Sequence, residues 1–247
     1  MSIPPPGRHA PRPAAGGPAT AGTPTGPPSE RVRLRRRRER GSYERETIDA
    51  ILDEALIAHL GITDGDGQPL VIPMLHARCG DVVYCHGSSA GRTLRTLAGG
   101  APACLTVTLL DGLVLARSAM HHSANYRSVM LLGRASTVES EAEKLAALEA
   151  IVEHIVPGRW PDVRAPSENE LRATAVVAIP IEEASAKLRS GPPLDEESDY
   201  SLPAWAGVIP IAGRAGAPVP DPRMAPGIAP PPYVTAYERP GGPWPRR

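Results

Sequence analysis

"LVIPMLHARCGDVVYCHGSS", Leu70 to Ser89, holds two apolar runs on either side of a Gly-Asp pair. Gly-Asp between strand-forming residues is turn chemistry, so the segment reads as a β-hairpin with strands over Leu70–Arg78 and Val82–Gly87. If Gly80-Asp81 is a two-residue turn, His86 lies opposite Leu75 and points to the other face from His76. Upstream, "LIAHLGIT" (Leu56–Thr63) and the turn "DGDGQP" add another strand. Before these, "SYERETIDAILDEA" predicts a helix with Ser42 as N-cap and Ile48, Ile51, Leu52 and Ala55 on its inner face.

Downstream, "SSAGRTLRTLAGG" predicts a short helix capped by Ser88 or Ser89, with Leu94 and Leu97 inward and Gly99-Gly100 ending it. "ACLTVTLLDGLVLARS" is a long strand or a hairpin around Asp111-Gly112. "SVMLLGRASTVE" is a further strand, and "SEAEKLAALEAIVEHIV" a helix capped by Ser140. "ATAVVAIPIEEASAKLR" reads as one last strand, with Pro180 marking an edge or an end. The predicted class is mainly β with peripheral α: a six- to seven-stranded barrel with helices at a few connections.

Composition sets the limits of that domain. The 247 residues include 30 prolines and 24 glycines, concentrated before Gly41 and after Ser190. Those stretches lack apolar periodicity and could not offset their ordering entropy, so 1–41 and 191–247 are expected to be disordered extensions around a domain over 42–190. Tyr200 to Ile211 is the one apolar part of the second extension. Formal net charge is zero, which argues against a global field for nucleic acid or membrane. The exception is the basic run "RVRLRRRRER", Arg31–Arg40, whose bland reading is a solvated linker. Three cysteines without CxxC spacing, no membrane-length apolar run and no apolar leader suggest a cytoplasmic protein.

The polar residues narrow the chemistry. His76, His86, His121 and His122 have no HExxH-type spacing, and neighbouring strand histidines diverge, so no protein-held metal is expected. "HGSSAG" lacks the glycine pattern of a nucleophile elbow. In "YCHGSSAGRTL" a strand end, two hydroxyls and Arg92 one turn into a helix make a compact anion site. The bland alternative is a capped helix with a solvent-facing arginine.

The segment from Leu70 to Ala135, above all His122–Val129 ("HSANYRSV") and the "YCHGSS" stretch before a basic helix, resembles the pyridoxamine 5'-phosphate oxidase-like superfamily. Its similarity is to the branch of flavin-nucleotide-binding proteins related to nitroimidazole resistance proteins, over about Tyr43 to Arg189. The resemblance implies an FMN-binding split β-barrel, a homodimer with flavin at the interface, and a flavin-dependent oxidoreductase acting on a small molecule. It places His86, Ser88 and Arg92 at the phosphate and ribityl end of FMN, and Asn125, Arg127 and Ser128 along the rest of the pocket. Within the fold, F420 or haem are the alternative cofactors; outside it, the alternative is an adaptor acting through Arg31–Arg40. No residue stands out as a general acid or base.

Overall fold

Gly80 takes a left-handed φ of +59°, where a side chain would be strained, and so turns the chain between the two strands of the central hairpin. The computed structural model describes residues 26–238. Its strands are β1 (Gly41–Ser42), β2 (Ile57–Thr63), β3 (Pro69–Cys79), β4 (Val82–Ser88), β5 (Pro102–Leu115), β6 (Ser123–Arg134), β7 (Ser136–Thr137), β8 (Thr174–Pro180), β9 (Glu183–Arg189) and β10 (Gly207–Pro210). Seven of these have seven or more residues, matching the expected number. The helices are α1 (Arg45–Glu54), α2 (Arg92–Ala98), α3 (Glu141–Ile155), α4 (Glu168–Ala173) and α5 (Pro232–Thr235).

The strands form one antiparallel sheet in the order β1-β9-β6-β5-β2-β3-β4-β8-β7, with β10 added alongside β5. Strands β8 and β9 lie near opposite ends of that order, yet only Ile181 and Glu182 join them. The sheet must therefore roll until its ends come side by side. A Cβ added at Gly133 of β6 would stand 3.1 Å from the Ile179 side chain of β8, which shows how closely the walls approach. Among the described residues no hydrogen-bonded ladder joins β8 to β6 or β9, so the barrel is split.

The apolar side chains sort to two places. Leu60, Val83, Cys85, Leu105, Val107, Val129, Leu131, Val177 and Ile179 fill the interior, together with Ile48, Ile51 and Leu52 of α1. Alternation turns Tyr84 and Val176 outward, where Ala147 and Leu148 of α3 cover them. His76 pairs with Cys85 across the hairpin, so His86 projects to the outer side, toward α3.

Several details differ from the sequence expectations. Ser42 belongs to β1, so α1 begins after Glu44, and Ser42 accepts only a local hydrogen bond from the Glu44 N–H. Gly91 precedes α2, while Ser88 Oγ accepts from the Ala90 N–H. Of the two readings of Asp111-Gly112 the long strand holds and the hairpin does not: β5 continues through it, with a register shift that leaves Asp111 as an extra residue. The last predicted strand is two strands, because Pro180 ends β8 and the chain crosses to β9.

Residues on both sides of the 42–190 core make contacts with it. Val32 is 1% exposed, Ser29 and Arg31 bond Glu183, and β1 pairs with β9. On the other side β10 pairs with β5 and the Ile211 N–H donates to the Asp111 carbonyl. The expected extensions also include 1–25 and 239–247, which lie outside the described residues.

Candidate functional site

The residues expected to bind cofactor fall into two groups. On the β4–α2 side, Ser88 and Arg92 are exposed at the surface, and Arg92 reaches Asp64 at 3.9 Å. His86 lies a step deeper, in the wall of a cavity of about 460 Å³ under α3. Leu148, Ile151, Val152 and Trp160 make much of that wall, and Arg164 is held there by Glu170 at 2.6 Å. Burial lowers the His86 pKa, so its ring is neutral at neutral pH. Its Nδ1 is buried without a hydrogen-bond partner among the described residues.

On β6, Asn125, Arg127 and Ser128 are engaged by their neighbours. Asn125 donates to the Gly191 carbonyl at 3.2 Å and accepts from Arg189. Ser128 Oγ donates to the Lys187 carbonyl at 3.2 Å. Arg127 is 6% exposed and clamps two carboxylates, Asp111 from the β5 bulge at 2.8 and 3.0 Å and Glu54 at the end of α1. Burial opposes the charge on Arg127, but these bonds outweigh it and raise its pKa. In the sheet β3, β2 and β5 separate β4 from β6, and no hydrogen bond among the described residues links the two groups.

Sequence reasoning did not find the partners around His121. Asp195, whose side chain is 0% exposed, accepts from the Arg117 guanidinium at 3.1 Å and from the Arg117 and Ser118 amides. Burial works against that carboxylate, but these donors outweigh it and lower its pKa. Tyr200 covers the Arg117 guanidinium at 4.8 Å. His121, Asp195 and Asp199 bring potential ligand atoms within 4.8 Å of one another, yet Arg117 already neutralises Asp195. Nothing in the spacing of Arg117 and Asp195 signals the contact, since their bond spans 78 residues.

A family model described as pyridoxamine 5'-phosphate oxidase matches residues 44–188. The chain belongs to that family. Among solved structures, flavocytochrome Anf3 from Azotobacter vinelandii is 47% identical, covering 85% of this chain and 97% of that one with a TM-score of 0.81. The FAD and haem binding protein from Mycobacterium smegmatis is 37% identical over 82% of this chain and 98% of that one, with a TM-score of 0.77. A protein assigned to 5-nitroimidazole antibiotic resistance, from Bacteroides thetaiotaomicron, is 26% identical over 60% and 85%, with a TM-score of 0.51. No curated protein matches the chain. This family member therefore has flavin- and haem-binding proteins among its structural neighbours, and the mainly β split barrel expected from sequence is the fold observed.

Proposed function

We propose that this protein binds a flavin nucleotide together with haem, as a homodimeric oxidoreductase acting on a small molecule. The observation that carries this is the 47% identity to a flavocytochrome over 85% of the chain, joined by 37% identity to a protein that binds FAD and haem. The FMN moiety, common to FMN and FAD, is assigned to the exposed β4–α2 segment, with Ser88 and Arg92 at its phosphate. Asn125 and Ser128 of β6, which three strands separate from that segment, are assigned to the far end of the flavin, and Arg127 braces their strand through Glu54 and Asp111.

His86 fits the haem iron. Its imidazole is neutral through burial, which leaves a nitrogen lone pair for a metal, and its cavity has the apolar wall that a macrocycle needs. When bound, the flavin and haem supply the electron-transfer chemistry, and the protein's part is to hold and tune them.

An absorption spectrum of the purified protein tests both cofactors. Flavin maxima together with a Soret band are expected, and His86→Ala should lose the Soret band while keeping the flavin. A colourless protein that cannot be reconstituted would overturn the flavin assignment; flavin without any Soret band would overturn the haem. Chromatography of the released flavin distinguishes FMN from FAD. Arg92→Ala should weaken FMN by roughly ten- to a hundredfold, the scale of one charge-assisted contact, and leave riboflavin binding unchanged. An equal effect on both ligands would remove Arg92 from the phosphate.

A further inference from the structure

The basic run Arg31–Arg40 does not trail away from the barrel. Gly41 pairs with Lys187, which draws the preceding residues against β9. Arg37 has φ +56°, and among the described residues it alone of the non-glycines has positive φ; it bends the chain just before the edge strand. Arg36, Arg37 and Arg40 thereby face Lys187 and Arg189 across a pocket of about 330 Å³. His121 and His122 also line it; among the described residues no carboxylate lines it, although Asp195 and Glu196 each stand 3.8 Å from His121.

These charges are sparsely paired among the described residues. Among the described residues, Arg36, Arg40 and Lys187 form no ion pair, and Arg37 has only Glu39 at 4.0 Å. Arg189 is 8% exposed, and its guanidinium donates to neutral acceptors alone: Asn125 Oδ1 and the Gly191 and Pro192 carbonyls. Burial, and next the nearby Arg40, lower the Arg189 pKa. A fold that converges five cations and fixes one of them under a neutral clamp is repulsive until an anion joins it.

We propose that this pocket binds the diphosphate group of a nucleotide. Guanidinium forks match phosphate oxygens in bidentate fashion, and several of them within one small concavity suit two linked phosphates better than one. The pocket's volume suits a small molecule, and its lining has no Phe, Tyr or Trp on which successive bases of a strand could stack. The diphosphate can belong to the protein's own flavin, which would then be the dinucleotide, or to a second nucleotide.

Calorimetric titration of the full-length protein with inorganic pyrophosphate, with orthophosphate as comparison, tests this. Pyrophosphate should bind at least about tenfold more tightly than orthophosphate, and more weakly as salt rises. Arg40→Gln and Lys187→Gln should each weaken it about tenfold or more, whereas Arg40→Lys, Lys187→Arg and the distant Arg172→Gln should retain it. Binding seen only after the flavin is stripped assigns the pocket to the flavin's own diphosphate; binding with flavin in place assigns it to a second nucleotide. No saturable binding in either form, or equal affinity in wild type and both glutamine variants, would overturn the proposal. The titration needs no cofactor signal, so its failure is distinct from a failure of the flavin or haem assignment.

Discussion

Arg127 carries a charge into the barrel wall and finds both of its partners supplied there, Glu54 from one helix end and Asp111 from a strand bulge. Replacing it by methionine would strand two nearly buried carboxylates, a loss on the order of 3–5 kcal/mol in urea unfolding. A loss below about 1 kcal/mol, the scale of an exposed pair, would show that water reaches the cluster. His76 shows the opposite economy. It is 0% exposed and bonded to the Leu52 carbonyl, and burial, with His154 nearby, lowers its pKa from 6.5 to about 4. Between those values the unfolded chain takes up a proton that the folded one refuses. Stability from this site is therefore full above about pH 6.5 and falls as pH drops toward 4, by up to about 3 kcal/mol. His76→Gln, which can still donate to Leu52, should lose less stability over that range than the wild type, and parallel losses would contradict the assignment. The sequence set His76 and His86 on opposite faces and the resemblance placed Arg127 along the pocket, but the partners of neither His76 nor Arg127 were legible, since they are remote in the chain.

Elements whose partners are sequence neighbours were legible. The β3–β4 hairpin, the inward Leu94 and Leu97, and Ser140 at the start of α3, which accepts from the Glu143 N–H, follow from local turn, period and capping rules. Elements defined by distant partners were not. Asp-Gly at 111–112 is turn chemistry and left a hairpin open beside the long strand; pairing with β6 on both sides decides for the strand and turns Asp111 toward Arg127. The Pro-rich composition after Gly191 suggests a tail, yet Gly207–Pro210 finds the edge of β5 and Asp195 finds Arg117. The candidate site was legible as residue types, Ser88 and Arg92 near a strand end, but the arginine pocket depends on a pairing between Gly41 and Lys187 that no local rule reveals. Truncation separates composition from contact. Removing 191–247 should lower Tm by several degrees, at roughly 2–4 °C per kcal/mol for a chain of this size, while removing only 212–247 should change it little. Equal Tm for the two truncations would mean that β10 and Asp195 add no stability.

At the scale of the molecule, the outer face of the sheet is unusually apolar. Val71 is 67% exposed, and Ile57, Leu110, Leu113 and Ile209 are each exposed by more than 40%. Their registers place them on one face, spread along β3, β2, β5 and β10, with Leu113 directly opposite Ile209 and Val71 level with Cys104 farther along β5. The homodimer proposed above should bury this stripe, so light scattering should give twice 26.1 kDa, and Val71→Asp with Leu113→Asp should give the monomer mass. A wild-type monomer would sink that assignment. The two-residue bridge between β8 and β9 has a consequence for how the chain reaches this form. The β2–β3, β3–β4 and β5–β6 pairs are nearest neighbours in sequence and can zip early, whereas β4–β8, β6–β9 and β1–β9 must await the far end of the domain. On the ribosome the hairpins therefore stand with unpaired edges until Arg189 has emerged, and that interval is when the nascent protein is most prone to aggregate.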